Sequence, residues 1–412
     1  MKQRLKGLLA LVLSLTMVFA LATNAWAAVK IGNVYMGDGI DPAYYKNGDT
    51  TTASGSASDY NAMLWMDGGK LTLTLNNFTM VDNSHYEAIS SDQDLTLNLI
   101  GDNKITASYG SGAVAVSVTG KLAIEGTGSL NADGTDSGLS ASSGVDISGG
   151  EVTAKGDKYG IISRTGNVSI TGGEVEATGR NSGILANKVT ISGGTVTATG
   201  SNDYGYGIYA LEDNFNGGDI TISNGTVTAT GGIAGMYADN KATIEGGTVT
   251  ATGGSAGAGI GADNAITISG ADTNVTVGCE TGLVADTVSI LDDSTVSIDA
   301  DNTAIDCTTL NMGGNWYQWT DKNGGPYKSN DNQLDATKAA ATNTLTIDKI
   351  STGGQGTATP QPPTYYPIYI PTVEDEPEKV EAAPTFDGGI ASAVVVTILS
   401  ATGGAWLAKK KD

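Results

Sequence analysis

The chain has 412 residues, of which 58 are glycine and only 16% are charged. Its 44 acidic residues outnumber the 22 basic ones and give a net charge of −22. This charge argues against nucleic acid as a partner, because phosphates require Lys and Arg. It also argues against docking on an anionic membrane surface. The single histidine, His85, excludes His-rich metal sites and most His-dependent catalysis.

Residues 1–27 have the three parts of a secretory signal peptide. A basic start, Lys2 to Lys6, precedes an apolar run from Leu8 to Ala22. Ala25-Trp26-Ala27 then has the small-X-small pattern of a cleavage site. We therefore expect export of the chain and cleavage after Ala27.

The C-terminal end has the pattern of a membrane anchor. Residues 388–408 contain no charged side chain and are enough to cross a bilayer as a transmembrane helix. Residues 409–412 begin with three lysines. Positive charge stays on the cytoplasmic side, so the body of the protein is expected outside the cell. Residues 353–386 are rich in proline and are expected to form an extended linker.

This tail, an apolar span followed by a basic stop, resembles the C-terminal sorting signals of Gram-positive surface proteins. The LPxTG-like pentapeptide that sortases cleave in that family is absent here. We therefore expect a protein of the cell surface that stays anchored in the cytoplasmic membrane, rather than one attached covalently to the cell wall.

The middle of the chain repeats a short pattern at intervals of about 22 residues. Weaker copies extend the series from Leu71 to Leu310. The clearest copies are VDISGGEVTAKG from Val145, VSITGGEVEATG from Val168, VTISGGTVTATG from Val189, ITISNGTVTATG from Ile220 and ATIEGGTVTATG from Ala242.

Apolar residues alternate with polar ones inside each unit, which predicts strands rather than helices. Three short strands and their glycine-rich turns make one coil, and stacked coils pair in parallel about 4.8 Å apart. The sequence therefore predicts an all-β fold, a parallel β-helix (solenoid) of about 11 coils over residues 71–315. Residues 28–70 and 316–352 are expected to cap its two ends. A β-propeller is the competing fold, but its blades need about 40–45 residues.

The repeat resembles the right-handed parallel β-helix and, more narrowly, the solenoid modules of Gram-positive surface proteins. Those modules are carbohydrate-binding or adhesin-like. The resemblance implies a polysaccharide or another cell-surface molecule as the partner of this chain, and the right-handed winding is implied by the family alone.

Threonines recur at one outward position of the second strand. Thr is favoured in strands and pairs well with Thr, which explains the column without a ligand. A flat face for a sugar polymer or for ice is the alternative, and Glu176 and Lys155 argue against ice by interrupting the array. The column reads Thr153, Glu176, Thr197, Thr228, Thr250, Thr276 and Ser297.

The third strand predicts a stripe of large apolar side chains on the outside of four consecutive coils: Ile162, Leu185, Tyr209 and Tyr237. A contiguous exposed stripe is less usual than scattered apolar residues and suggests a binding surface. The alternative is a stripe covered by the long insertion of the unit from Val189. The inward residues that precede these positions are Ile161, Ile184, Ile208, Met236, Ile260, Leu283 and Ile305.

Rings beside Asp and Asn suit a saccharide, because rings cover the apolar faces of a sugar while carboxylates and amides bind its hydroxyls. Trp316 and Trp319 form a second candidate site, against the alternative of a hydrophobic cap. The candidate ligand-binding residues of the insertion and stripe are Tyr204, Tyr206, Tyr209, Tyr237 and Asp213.

Polysaccharide lyases and hydrolases also use this fold, but no catalytic group stands out. Arg164 and Arg180, the only arginines after the signal, fall in different turns of the coil. Glu174 and Glu176 lie about 7 Å apart on one strand, yet the next coil has threonines there. We therefore expect a non-enzymatic surface protein, with a passive structural stalk as the alternative.

Calcium is the only ion that the sequence suggests. Residues 292–293 and 299–302 carry clustered acidic side chains, and calcium prefers oxygen ligands. No EF-hand loop or Gly-rich calcium repeat is present, so solvated turns explain these acids and no cofactor is expected.

Overall fold

The structure is a computed structural model, and it describes residues 29–36, 42–49, 53–67, 69–213, 216–291, 294–313, 316–329, 333–350 and 356–357. The predicted signal peptide (1–27), transmembrane helix (388–408), basic tail (409–412) and all but two residues of the linker (353–386) lie outside these ranges. Within the described residues, no helix is long and apolar enough to cross a membrane.

The described residues are almost entirely β-strand, with one short helix at Ala336–Ala340. Four long strands continue through a corner of the coil: Tyr159–Ile170, Ser182–Ile191, Asn274–Ile290 and Thr295–Met312. The shorter strands of the solenoid are Lys70–Asn76, Thr79–Asp82, Glu87–Ser91, Leu95–Ile100, Asp102–Ala107, Val114–Val118, Lys121–Gly126, Ser129–Gly134, Ser137–Ala141, Gly144–Ile147, Glu151–Gly156, Glu174–Gly179, Thr195–Gly200, Tyr206–Ala210, Asp219–Ile222, Thr226–Thr230, Ala234–Ala238, Lys241–Ile244, Thr248–Thr252, Ala258–Ala262 and Ala265–Ile268.

Successive coils pair in parallel and in register, as the repeat predicts. We number the coils from 1, beginning at Lys70, and call the three stacks of strands the first, second and third sheets. In the first sheet Val145 lies opposite Val168, which lies opposite Val189, and Val189 lies opposite Ile220. The prediction of an all-β parallel solenoid is therefore confirmed.

The number of coils differs from the prediction of about 11. Within the described residues, ten coils are complete, and the eleventh unit contributes only its first strand, which ends at Met312. After this strand the chain enters the C-terminal cap, in which Thr344–Ile350 pairs antiparallel both with the second strand of coil 10 and with Trp316–Asp321. The prediction exceeds the observed number by one coil, because the last unit of the repeat contains only a first strand.

Glycine fixes the turn between the first and second strands. The second glycine of the Gly-Gly pair has a positive φ in successive coils, for example 85° at Gly173 and 82° at Gly194. A methyl group on Gly173 would also lie 2.6 Å from the Gly150 carbonyl oxygen of the preceding coil. Conformation and close stacking both require glycine here.

The core consists of inward columns that continue from coil to coil. The inward residues predicted for the third strand are paired in register and fully buried. Each buried Ile or Leu stabilises the fold by about 1.5–3 kcal/mol relative to an exposed side chain. One coil presents few such residues, so neighbouring coils must share the core.

Antiparallel strands cover both ends of the solenoid. At the N-terminal end Val29–Ile31 pairs with Val34–Met36 and with the third strand of coil 1, and the pair Ala43–Tyr45 and Ala62–Asp67 lies against its first strand. At the C-terminal end Trp316–Asp321, Gly324–Lys328 and Thr344–Ile350 form an antiparallel sheet, and Thr344–Ile350 joins it to the second strand of coil 10. Gly356–Thr357 pairs antiparallel with the strand of coil 11. These strands bond to edges that would otherwise pair with other chains.

The threonine column of the second sheet has the predicted register. Thr153 pairs with Glu176, Glu176 with Thr197, and the series continues to Ser297. Glu176, the charged residue of this column, pairs across the coils with Lys155 of the neighbouring outward column, whose Nζ lies 3.6 Å from Glu176 Oε1. The column is thus a regular strand surface with one exposed ion pair.

Candidate functional site

The third-sheet stripe has the predicted register but not the predicted exposure. Ile162 pairs with Leu185, Leu185 with Tyr209, and Tyr209 with Tyr237. Ile162, Leu185 and Tyr237 are nevertheless buried, and Tyr209 is half-buried. The prediction of an exposed stripe is therefore wrong. These side chains point away from the core but pack against one another and against Leu211 from the insertion.

The two tyrosines of this stripe pack against a third at the start of the same strand as Tyr209, and we call the three the tyrosine cluster: Tyr206, Tyr209 and Tyr237. The rings of Tyr206 and Tyr209 are stacked with centroids 4.7 Å apart. The Tyr237 ring lies 5.8 Å from Tyr206 and 6.1 Å from Tyr209. Such aromatic contacts stabilise by about 0.5–1.5 kcal/mol each beyond burial of area. The structure thus brings together three of the binding residues predicted from the sequence: Tyr206, Tyr209 and Tyr237.

A glycine in the next coil accommodates the cluster. Gly261 is the register partner of Tyr237, and a methyl group there would lie 2.6 Å from Cδ2 of the Tyr237 ring. The ring therefore occupies the space that a side chain at this position would need. This lateral packing between coils explains why outward tyrosines become buried.

Two aspartates bind the phenol groups of the cluster. The Tyr209 hydroxyl donates to Asp239 Oδ2 over 3.2 Å, and the Tyr237 hydroxyl donates to Asp263 Oδ1. The backbone N–H of Glu212 also donates to Asp239 Oδ2, over 2.9 Å. Each tyrosine thus reaches the carboxylate of the following coil. Asp263 is exposed and Asp239 is half-buried, so a carboxylate rim borders the cluster.

Burial controls the ionisation of these groups. Loss of solvation, followed by the charges of Asp239 and Asp263, raises the pKa of Tyr206 to about 12. Burial also raises the pKa of Tyr209 and Tyr237, with the adjacent carboxylates adding to it. Burial raises the pKa of Asp239 as well, against the lowering effect of its hydrogen bonds. The phenols are therefore neutral donors at physiological pH.

The other sequence candidates lie elsewhere. Tyr204 is exposed on the loop before Tyr206–Ala210, at the opposite edge of the third sheet from Asp239. The side chains of Asp213 and Trp316 lie outside the described residues, although both positions belong to strands. Trp319 is buried in the C-terminal cap, where its ring lies 4.4 Å from that of Tyr327.

The residues that the sequence offered for catalysis either contact a neighbouring side chain or are exposed to solvent. Arg164 lies over the ring of Tyr159, 5.4 Å from its centroid, and donates to its hydroxyl over 3.1 Å. Glu174 is exposed, and Glu176 pairs with Lys155. Among the described residues, no group of three or more His, Cys, Asp or Glu side chains is placed to hold a metal ion.

An open groove of about 810 Å³ lies at the corner between the third and first strands of coils 1 to 3. Its polar lining includes Asp92, Asp94 and Lys121. Asp94 Oδ1 accepts from the Lys121 backbone N–H over 2.7 Å, and Lys121 Nζ lies 2.5 Å from Asp146. The described residues lining this groove include no aromatic ring, so it offers no surface for stacking.

Sequence reasoning missed four side chains of interest. Asp239 follows Tyr237 by two residues, and Asp263 follows by two residues Gly261, the register partner of Tyr237, so an acidic residue recurring two positions after the outward position was the available signal. Tyr86 and Tyr109 are exposed and lie in corner loops of coils 1 and 2. These loops fall outside the repeated motif, so alignment of the repeats gives no information on where their side chains point.

The chain is thus a capped parallel β-solenoid whose outer surface carries tyrosines beside carboxylates. A family model described as "Carbohydrate-binding domain-containing protein" matches residues 49–257, just over half of the chain. The chain belongs to this family, which points to a binding role rather than catalysis. No curated protein matches the sequence, and no solved structure matches it.

Proposed function

We propose that this protein is an exported, non-enzymatic β-solenoid that binds carbohydrate at the cell surface. The observation that carries the proposal is the family match, which spans coils 1 to 7 and most of coil 8. A protein that binds without catalysis needs a rigid surface with acceptors and rings, and the solenoid provides one. The signal-like and anchor-like ends support display outside a Gram-positive-type cell.

The site that we propose is the carboxylate rim of the tyrosine cluster. An ionised carboxylate has about four acceptor positions, and the phenols and the Glu212 N–H use only some of them. The remaining positions of Asp239 and Asp263 are free to accept from sugar hydroxyls. The Tyr209 ring, half-buried beside Asp239, supplies an apolar surface for the sugar ring.

Titration of the purified full chain with soluble polysaccharides tests the proposal. The panel contains barley β-glucan, xyloglucan, galactomannan and polygalacturonate. We expect the wild type to bind a neutral polymer. The double variant Asp239→Asn/Asp263→Asn should bind that polymer about tenfold or more weakly, because hydrogen bonds to charged groups contribute about 1.5–3 kcal/mol. Asp286→Asn is the matched control, because Asp286 is exposed at the same corner one coil further along.

A passive structural stalk is the second candidate. The burial of the third-sheet stripe favours it, since a covered stripe needs no ligand to account for its apolar residues. The same panel separates the two functions: a chain that binds none of the four polysaccharides is a stalk, and carbohydrate binding is then rejected.

A further inference from the structure

The most exposed aromatic pair of the solenoid lies in coils 1 and 2. Tyr86 is 55% exposed and Tyr109 is 43% exposed, and both occupy the corner between the second and third strands. Their ring centroids are 4.9 Å apart and the ring planes are at 78°, an edge-to-face arrangement. Both rings therefore contact each other and still leave much of their surface open to solvent.

A glycine-rich loop runs beside the Tyr86 ring. A methyl group on Gly110 or Gly112 would lie 3.6 Å from the nearest carbon of this ring, an ordinary van der Waals distance. The Tyr109 ring packs against the Tyr86 ring, although more than half of Tyr86 is exposed. Tyrosine has only two side-chain torsions and loses little conformational entropy on binding.

The loop itself is anchored from both neighbouring coils. The N–H of Val114 donates to the Tyr86 carbonyl oxygen over 2.7 Å, and the N–H of Ser108 donates to that of Asp82 over 2.8 Å. From coil 3, the Thr135 hydroxyl donates to the Gly110 carbonyl oxygen over 2.6 Å. The aromatic pair is therefore held in place before any ligand arrives, which lowers the cost of binding.

The polar surroundings of the pair are acidic. Glu87 follows Tyr86, is exposed, and accepts from the Ser117 hydroxyl over 2.7 Å. Asp136 lies at the same corner in coil 3 and pairs with Lys158 over 2.8 Å. Carboxylates accept from sugar hydroxyls but repel uronate groups, and the chain has a net charge of −22.

We propose that Tyr86 and Tyr109 form a second saccharide-binding site, and that its ligand is a neutral pyranose unit of a polysaccharide. The C–H face of such a sugar matches the negatively polarised face of the exposed ring. Glu87 accepts from the sugar hydroxyls. This site lies five coils or more from the carboxylate rim, so one long chain can engage both. The inference rests on the proposed carbohydrate-binding function.

Affinity electrophoresis of the full chain in gels containing barley β-glucan, xyloglucan, galactomannan or the acidic polymer polygalacturonate tests this site. We expect at least one neutral polymer to retard the wild type and Tyr86→Ala/Tyr109→Ala to lose about tenfold in affinity, as tyrosine anchors do at interfaces. Tyr86→Phe/Tyr109→Phe should retain binding, because the ring faces remain. Tyr35→Ala is the control, since Tyr35 is 60% exposed on the N-terminal hairpin.

The outcomes separate this site from the general function. If the variant that lacks both rings binds a neutral polymer as tightly as the wild type does, the proposed second site is wrong and carbohydrate binding stands. If the wild type binds no polymer, both the second site and the carbohydrate-binding function are wrong. Retardation by polygalacturonate alone contradicts the neutral ligand. Melting curves of the two alanine variants should match that of the wild type, which excludes unfolding as the cause of lost binding.

Discussion

The molecule uses tyrosine in two opposite ways. In the cluster of coils 6 and 7, Tyr206 and Tyr237 are only 5% and 8% exposed, and the hydroxyls of Tyr209 and Tyr237 donate to aspartates. In coils 1 and 2 the side chains of Tyr86 and Tyr109 are exposed to solvent. Both groups contain edge-to-face ring contacts. Burial and hydrogen bonding therefore distinguish them, rather than residue type.

This difference indicates which positions of a solenoid are accessible to a ligand. Outward strand positions are neighbours in every coil, so large side chains there cover each other and become a second small core. Corner loops vary in length between coils, and their side chains remain accessible. We therefore expect the tyrosine cluster to serve stability, with its carboxylate rim available for ligand, and the corner tyrosines to serve contact with a ligand.

Replacing a cluster tyrosine should have the largest effect on stability. Tyr206→Ala removes a buried ring that stacks on Tyr209, and we expect a loss of about 3 kcal/mol in the free energy of unfolding. Tyr86→Ala removes only one partly exposed ring contact, and we expect a loss of about 1 kcal/mol or less. Urea denaturation followed by circular dichroism measures both. Equal losses for the two variants would contradict the division into buried and exposed tyrosines.

A methyl group at Gly261 should have the next largest effect. Gly261→Ala collides with the Tyr237 ring, and we expect overpacking to cost about 1–3 kcal/mol. Gly278→Ala is the matched control, because an added methyl there meets no atom within 4 Å. In a Tyr237→Ala background the penalty of Gly261→Ala should disappear. A penalty that persists without the ring would show that the collision is not its cause.

Alkaline pH should weaken the cluster gradually. The pKa of Tyr206 is about 12 in the folded protein, against about 10 in an unfolded chain. Because the folded state holds this proton more tightly, the resulting stability is complete below pH 10 and is lost as the pH rises through 12. Its loss is at most about 1.4 kcal/mol per pH unit. Thermal melts from pH 9 upward should show a smaller decline for Tyr206→Phe, and identical declines would contradict the assignment.

Much of the fold could be predicted from the sequence, because each coil repeats the same alternation of residues. That alternation fixed the inward column from Ile161 to Ile305 and the register of the threonines. Exposure could not be predicted, since it depends on how the Tyr237 ring lies over Gly261 in the next coil. Lateral packing of this kind leaves no periodic signal.

The candidate site was only partly predictable for the same reason. The repeat placed Tyr209 and Tyr237 in one column, and the structure adds Asp239 and Asp263, whose role depends on side-chain reach between coils. Tyr86 and Tyr109 lie in corner loops whose sequence falls outside the repeated motif, so only the three-dimensional structure brings their rings together.

Hydroxyl-radical footprinting of the full chain, with and without barley β-glucan, xyloglucan and galactomannan, distinguishes the exposed tyrosines from the buried ones in a single measurement. We predict that Tyr86 and Tyr109 are oxidised readily in the free protein and protected by a neutral glycan, while Tyr206 and Tyr237 react little in both states. Ready oxidation of Tyr206 and Tyr237 in the free protein, or no protection of Tyr86 and Tyr109 by any of the three glycans, would contradict it.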